Sequence, residues 1–196
     1  MFEKILSKIG TILPKHNLPY MIIGGQAVLI YGEPRITRDI DITLGVNIDQ
    51  LEKLLAAVKE LALKTIPQDI YSFVSQTMVL PTLDDSTGIR VDFIFSYTPY
   101  ENQAIKRSRK MLLHNREVNF ASPEDVIIHK IFAGRARDLE DVRSIVLKNK
   151  DIDIRYIRSW LNKFEGSADK KNLTKTFNEL LRGHEQPKSQ KHKNRK

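Results

Sequence analysis

The hydrophobic pattern of this sequence changes type once along the chain, at Ser122. Before that residue, two kinds of segment follow each other along the chain. Some are short runs that are wholly apolar or alternate between polar and apolar residues, and in the others the apolar residues recur every three or four positions, as they do in helices. After it, only the helical period remains, to about Leu181. This order predicts an α+β fold, with a mixed β-sheet and flanking helices followed by a helical C-terminal lobe.

Short alternating or wholly apolar runs predict the strands of this fold. They lie at residues 20–23, 39–44, 76–83, 89–95, 110–113 and 117–120. Apolar stripes with helical spacing predict the helices. They lie at residues 2–16, 26–31, 47–63, 99–107, 126–132, 138–147, 154–164 and 173–181. Ser122 in the cap position and Pro123 in the first helical position mark the start of the second lobe. We therefore assign residues 1–121 to a mixed lobe and residues 122–182 to a helical lobe.

The composition excludes several classes of protein. The chain has no cysteine, which excludes a disulfide framework, a thiolate zinc site, an iron–sulfur cluster and a cysteine nucleophile. The longest apolar runs fall far short of the ~20 residues that a membrane-spanning helix needs. The first ten residues, MFEKILSKIG, lack the apolar core of a signal peptide. We expect a cytoplasmic protein without a membrane partner.

Positive charge is concentrated at the C-terminus. The net charge is +8, and residues 183–196 carry five Lys or Arg against one Glu. These residues include nothing apolar to bury, so the sequence predicts a disordered basic tail. Such a tail either keeps the protein soluble or attracts nucleic acid by releasing counterions. A second basic cluster, at residues 106–110, is predicted to form a surface patch.

Three aspartates point to a site for a divalent cation. Asp39 and Asp41 are two residues apart on a predicted strand, so their side chains project from the same face. Two neighbouring carboxylates repel each other, and Mg²⁺ prefers oxygen ligands. Asp92 is the only acidic residue in the apolar strand 89–95 and would be costly to bury without a partner. If the two strands pair, Asp92 completes a carboxylate triad and is a candidate base for an attacking hydroxyl.

A glycine turn near these aspartates is typical of phosphate binding. Gly24 and Gly25 stand between a strand and a helix, where backbone N–H groups and the helix N-terminus can approach a phosphate. Arg35 and Thr37 lie directly upstream of the carboxylates. Together with the aspartates, these residues indicate a place for a metal-bound nucleoside triphosphate.

The same residues carry a resemblance to a known group of enzymes. The sequence IGG at residues 23–25, followed after thirteen residues by DIDI at 39–42, resembles the signature of the DNA polymerase β-like nucleotidyltransferase superfamily. The pattern R-x-T-x-D-x-D at residues 35–41 is similar to the toxin of abortive-infection type IV (AbiE) toxin–antitoxin systems and to related small nucleotidyltransferases. A second motif of that group resembles KIFAGRARDLEDV at residues 130–142.

This resemblance implies a transfer reaction and assigns residues to it. It implies that an NTP bound with Mg²⁺ (or Mn²⁺) is the substrate and that its nucleotide is transferred to a hydroxyl or phosphate. It also implies that Lys130 reaches the triphosphate and that Asp138 serves the active site. The nucleotide-binding candidates are Gly24, Gly25, Gln26, Arg35, Thr37 and Lys130. The catalytic candidates are Asp39, Asp41, Asp92, Lys130 and Asp138, of which the first three are the metal ligands.

The acceptor stays open at this stage. By the resemblance, tRNA is the first candidate, and the chain is then a toxin with a protein antitoxin as partner. The alternatives are a protein hydroxyl, a small molecule such as an antibiotic, or a catalytically inactive nucleotide-binding or partner-binding module of the same fold. The complete carboxylate set argues against the inactive module, because a protein without catalysis has no need to keep three mutually repelling acids together.

Other residues in the helical lobe have simpler explanations. Arg137 and Asp141 are four apart on a predicted helix, and a surface ion pair explains them as well as a functional role does. His129 is assigned to the helix surface or the core. Trp160 shares a helical stripe with Phe164 and is assigned to the core before any base-stacking role.

Overall fold

Seven strands form one mixed sheet in the computed structural model, which describes residues 1–167 and 171–185. The strands are β1 (Tyr20–Ile23), β2 (Asp39–Leu44), β3 (Lys64–Thr65), β4 (Val79–Asp84), β5 (Ile89–Phe95), β6 (Arg109–Leu113) and β7 (Arg116–Phe120). Their order in the sheet is β3-β4-β5-β2-β1-β7-β6. β2 pairs with β5 in parallel and with β1 in antiparallel orientation, so it lies in the middle of the sheet.

The register of β2 and β5 brings the predicted aspartates together. Asp41 lies opposite Asp92, and Asp39 lies opposite Arg90. The predicted pairing of these two strands is therefore confirmed. The alternate residues Ile40 and Ile42 point to the other face, where they are fully buried.

The helices follow the predicted order, with one further helix at residues 70–77 that was not predicted. They are α1 (Phe2–Lys15), α2 (Gly24–Tyr31), α3 (Leu51–Glu60), α4 (Ile70–Thr77), α5 (Pro99–Lys106), α6 (Pro123–Ala133), α7 (Ala136–Lys148), α8 (Ile154–Ser167) and α9 (Leu173–Glu185). α1 packs against β7, and α2 packs against β2 and α6. α6 also packs against α7 and α8, so the C-terminal helices join the sheet through α2 and α6. Within the described ranges, no helix has both the length and the hydropathy to span a bilayer.

The start of the helical lobe has the predicted cap. The Ser122 hydroxyl accepts a hydrogen bond from the Asp125 backbone N–H at 3.2 Å, and Pro123 occupies the first turn of α6. α6 ends at Gly134, whose φ of 70° lies in the left-handed region. These signals fix the bounds of α6 at both ends.

The segment before β4 differs from the sequence prediction, as does the helix predicted over residues 47–63, which is α3 at residues 51–60 and is followed by the unpredicted strand β3. A strand was predicted over residues 76–83, but α4 occupies residues 70–77 and β4 starts at Val79. The Asp69 side chain accepts a hydrogen bond from the Ser72 backbone N–H and so caps α4. Met78, with φ 59°, then turns the chain into the strand. The β-branched and aromatic residues of IYSFV have low helix propensity, which hid this short helix.

The C-terminal helix is longer than predicted. α9 continues to Glu185 and thus includes the first three residues of the predicted basic tail. The rest of that tail, residues 186–196, lies outside the described residues. The lobe boundaries at residues 121 and 182 stay predictions.

Candidate active site

The three aspartates lie on one face of the sheet. Asp39 and Asp41 alternate along β2, and Asp92 stands opposite Asp41 on β5. Asp39 is exposed, whereas Asp41 and Asp92 are partly buried. The arrangement is an acidic cluster on neighbouring parallel strands, open to solvent at the Asp39 end.

The charges of this cluster act most strongly on Asp41. The pKa of Asp41 is raised from its ordinary value of 3.8 to about 6, first by burial and then by the negative charges of Asp39 and Asp92. The positive charges of Lys130 and Arg135 oppose this shift. The charges of Asp39 and Asp92 therefore disfavour ionisation of Asp41, and a bound cation would relieve that repulsion.

Arg90 places a positive charge next to the acidic cluster. Its Nε donates a hydrogen bond to Asp92 Oδ1 at 2.7 Å, and its side chain is about half exposed, at 53%. This hydrogen bond, more than the nearby charge of Asp41, raises the pKa of Arg90. Among the described residues, no group of three or more His, Asp or Glu is arranged to hold a metal ion, and Arg90 occupies one of the Asp92 oxygens. Sequence reasoning missed Arg90, although its position two residues before Asp92 on one strand was a usable signal.

The first glycine of the turn directly contacts the acidic cluster. Gly24 has φ +62°, and a Cβ atom added there would lie 2.0 Å from Asp41 Oδ2. Both the left-handed backbone and the lack of space require glycine at this position. The turn that opens α2 is therefore packed against the side chain of Asp41.

The second glycine lies under the segment that leads into β2. A Cβ atom on Gly25 would lie 2.5 Å from Thr37 Cγ2 and 3.5 Å from Arg35 Nη2. Gln26, which is buried, donates from Nε2 to Thr37 Oγ1 at 2.8 Å and to the Asp39 carbonyl at 3.4 Å. In this structure Gln26 holds the segment over the glycine turn.

A chain of ion pairs borders the acidic cluster on the side of the helical lobe. Arg35 Nη2 donates to Asp141 Oδ2 at 3.1 Å, and Arg35 Nε lies 3.0 Å from Asp141 Oδ1. Lys130 Nζ lies 2.9 Å from the same Asp141 Oδ2 and donates to Asp138 Oδ1 at 2.7 Å. Arg135 Nε donates to Asp138 Oδ2 at 2.6 Å. We call this set, Arg35–Asp141–Lys130–Asp138–Arg135, the ion-pair chain.

The middle of the ion-pair chain is buried. The side chains of Lys130, Asp138 and Asp141 are 8%, 3% and 6% exposed. Burial opposes ionisation of Asp138, but hydrogen bonds from Arg135 and Lys130 outweigh it and lower the pKa of Asp138. Asp141 binds Arg35 and Lys130, so the surface pair of Asp141 with Arg137 is not formed in this structure.

The predicted site residues thus form two neighbouring groups. One is the acidic cluster against the glycine turn, and the other is the ion-pair chain that joins the segment before β2 to α6 and α7. The charge of Lys130 acts on Asp41, so the two groups are electrostatically linked. This arrangement offers oxygen ligands for a cation, backbone N–H groups for an anion, and three basic side chains beside both.

Comparison of the sequence with models of protein families identifies the family. Residues 1–191 match the model of a protein family described as "Nucleotidyltransferase of unknown function (DUF6036)". The chain belongs to this family. It is accordingly a nucleotidyltransferase, as the sequence analysis predicted. A comparison with curated proteins gives no match.

Solved structures share the fold of this DUF6036 nucleotidyltransferase. An antigenic nucleotidyltransferase-like protein from Paracoccidioides brasiliensis superposes with a TM-score of 0.53 and 16% identity over 90% of this chain and 91% of that one. The antibiotic-resistance factor ANT(2'')-Ia gives 0.55 and 16% over 93% and 96% of the two chains. The lincosamide antibiotic adenylyltransferase LnuA, bound to lincomycin, gives 0.52 and 14% over 74% and 97%. These similarities confirm the predicted α+β fold with its mixed sheet and flanking helices.

Proposed function

We propose that this nucleotidyltransferase transfers a nucleotide from an NTP to a hydroxyl group, with Mg²⁺ or Mn²⁺ held by Asp39, Asp41 and Asp92. The observation that carries the proposal is the register of β2 and β5, which sets Asp41 opposite Asp92 with Asp39 beside them. Burial, and after it the charges of Asp39 and Asp92, raise the pKa of Asp41. Carboxylates that crowd each other beside a phosphate-binding turn are suited to a divalent cation.

The chemistry of the donor set suits such a cation, although the three side chains are not gathered around one point in this structure. All three side chains offer hard carboxylate oxygens, which Mg²⁺ and Mn²⁺ prefer. Arg90 competes for Asp92, but its half-exposed side chain is free to turn towards solvent when a cation arrives. A bound divalent cation would stabilise the negative charge that develops on the phosphoryl oxygens.

The strand order separates the two reactants. β1 and β5 flank β2 on opposite sides, so the glycine turn after β1 and Asp92 on β5 lie on opposite sides of Asp39 and Asp41. We assign the triphosphate to the turn and the acceptor to Asp92. Asp92 then takes the proton of the acceptor hydroxyl while the acceptor oxygen bonds to the α-phosphorus. The bond from that phosphorus to the bridging oxygen breaks, and pyrophosphate leaves.

The remaining predicted residues are assigned to the triphosphate. The N–H groups at Gly24 and Gly25 open α2 and offer hydrogen bonds to phosphate oxygens. Arg35 and Lys130 share Asp141 in this structure, so binding of the triphosphate requires them to exchange that carboxylate for phosphate oxygens. Asp138 keeps Lys130 in place through its own hydrogen bond.

For the acceptor we propose tRNA or another nucleic acid, which makes the protein a toxin with an antitoxin partner. The AbiE-like motifs and the net charge of +8 support this. The predicted basic patch supports it less, because Arg107 lies 3.4 Å from Glu124 and 4.0 Å from the Tyr156 ring centre. Lys110 is likewise bound to a neighbouring acid.

A small-molecule acceptor is the second candidate. It is supported by the fold shared with ANT(2'')-Ia, described as an antibiotic-resistance factor, and with LnuA, described as a lincosamide antibiotic adenylyltransferase. A labelling experiment separates the two. The protein is incubated with each α-labelled NTP and, in turn, with total RNA, an aminoglycoside and a lincosamide, and the labelled product is identified.

Two variants make this experiment decisive. Asp41→Ala should abolish labelling in every mixture. Asp92→Asn should bind NTP nearly as well as the wild type and transfer at least about 10²-fold more slowly, because the acceptor loses its base. NTP binding that is identical with Mg²⁺ and with EDTA would indicate an inactive module instead.

A further inference from the structure

A cavity of about 330 Å³ opens beside the acidic cluster on the same face of the sheet. Ile23, which lines it, directly precedes the glycine turn. Thr43 and Ile94 also line it, and they follow Asp41 and Asp92 by two residues on their strands. Two residues of strand span roughly 7 Å. Whatever occupies the cavity therefore lies one side-chain row from the carboxylates.

Aromatic side chains from three helices build the opposite wall of this cavity. Tyr100 of α5 lies 5.5 Å from His129 of α6 and 5.1 Å from Phe164 of α8, measured between ring centres. Phe132 lies 5.4 Å from Phe164. None of the described lining residues is Lys or Arg. The lining does include one acid, Glu101, so the cavity suits a flat ring without negative charge and does not suit a phosphate group.

Two buried polar atoms in this wall, Tyr100 Oη and His129 Nε2, lack a hydrogen-bond partner among the described residues. Burial lowers the pKa of His129, so the ring is neutral near pH 7 and has one donor and one acceptor nitrogen. A buried polar atom is costly while it stays unpaired. A ligand that offers a polar edge here would satisfy it.

We propose that this cavity binds the nucleobase of the NTP and that His129 Nε2 forms a hydrogen bond with the edge of the base. The inference rests on the proposed function and adds a site for substrate selection to it. A heteroaromatic base presents flat faces to the aromatic wall and a few polar atoms to His129.

The only tryptophan of the chain reports on the cavity directly. The Trp160 ring centre lies 5.1 Å from that of Tyr100 and 5.9 Å from that of Phe164, both of which line the cavity. The wild-type protein is titrated with adenosine, guanosine, cytidine, uridine, the four NTPs and inorganic tripolyphosphate while Trp160 fluorescence is recorded. We expect one nucleoside and its NTP to change the emission, with tripolyphosphate giving no change. Tripolyphosphate binding is measured in parallel by calorimetry.

Two variants test the cavity and His129 separately, and a third variant serves as a control. Ser96→Phe fills the cavity from the end of β5 and should weaken NTP binding by roughly tenfold or more, with tripolyphosphate binding unchanged. Ser75→Phe adds the same side chain on the exposed surface of α4 and should leave both affinities unchanged. His129→Phe keeps an aromatic ring, and the preference among nucleosides should fall by about tenfold while the thermal midpoint is retained.

Each alternative outcome has a distinct meaning. If Ser96→Phe stops transfer but binds NTP normally, the cavity serves the acceptor and the inference is overturned. If wild-type protein binds NTP no more tightly than tripolyphosphate, the base has no site and the inference is overturned, whereas the proposed function stands. If neither NTP nor tripolyphosphate binds, the proposed function itself fails.

Discussion

Arg90 and Asp92 stand two residues apart on the same face of β5, and Arg90 Nε donates to Asp92 Oδ1 at 2.7 Å. The strand therefore contains its own counter-charge for a proposed metal ligand. Because Arg90 is half exposed, its ion pair with Asp92 is worth only a fraction of what a buried pair would contribute.

Removal of this counter-charge should strengthen cation binding. Arg90→Gln leaves the acidic cluster with one positive charge fewer, so the affinity for Mn²⁺ should rise by about two- to fivefold. Isothermal titration calorimetry of the nucleotide-free protein measures this. Arg116→Gln, an exposed position on β7, removes an equal charge away from the cluster and should leave the affinity unchanged.

The raised pKa of Asp41 makes stability depend on pH. The folded protein holds this proton more tightly than the unfolded chain does, so stability falls as the pH rises from about 4 through the folded value of about 6. Asp41→Asn removes that dependence. In EDTA at pH 8, its free energy of unfolding should exceed that of the wild type by roughly 2 kcal/mol, with the difference gone near pH 4.

Denaturant unfolding at the two pH values measures this difference. Asp85→Asn, an exposed acid between β4 and β5, serves as the control and should behave like the wild type. A difference between Asp41→Asn and the wild type that is constant with pH would contradict the raised pKa.

Substitution of two glycines with positive φ, Gly24 and Gly88, distinguishes the stability cost of backbone strain from that of a side-chain clash. Gly88 has φ +69° and open space around its missing Cβ, whereas a Cβ on Gly24 would strike Asp41. Gly88→Ala should cost about 1 kcal/mol of stability, for the backbone alone. Gly24→Ala should cost more and should also abolish the Mg²⁺ dependence of NTP binding. Thermal unfolding and NTP titration with and without Mg²⁺ compare the two variants.

Lys130 has a structural role besides its predicted contact with the triphosphate. Lys130→Met leaves Asp138 and Asp141 with fewer partners in a buried setting, so stability should fall by about 3–5 kcal/mol. Binding of NTP should weaken more than binding of the nucleoside when both are measured well below the unfolding temperature. Arg137→Met, at an exposed position, is the matched control. Equal losses for NTP and nucleoside would remove Lys130 from the triphosphate site.

The acidic cluster was predictable because its signals are local. The alternation of Asp39 and Asp41 fixes a shared face within one strand. The lone acid in strand 89–95 indicates that this strand lies beside the one that carries Asp39 and Asp41. The register of β2 and β5 confirms the pairing. The carboxylates could therefore be predicted from single segments before any tertiary contact was known.

The ion-pair chain and the cavity depend on contacts that no single segment contains. Arg35 and Asp141 are 106 residues apart in sequence. Their pairing depends on how α7 packs against α2, which periodicity does not determine. His129 could only be assigned to the helix surface or the core, and Phe164 gave only a helical stripe, which is equally typical of a core. The wall they form with Tyr100 exists only after α5, α6 and α8 have packed together.

The ion-pair chain also affects how the affinity for NTP should depend on salt. Its three cations already face two carboxylates, so a triphosphate enters by exchanging one set of ion pairs for another. Added salt screens the set that is lost as well as the set that is gained. The affinity for NTP should therefore vary less steeply with ionic strength than it would at a site whose basic side chains are unpaired and solvated before the ligand binds. Titrations with NTP at two salt concentrations would measure this.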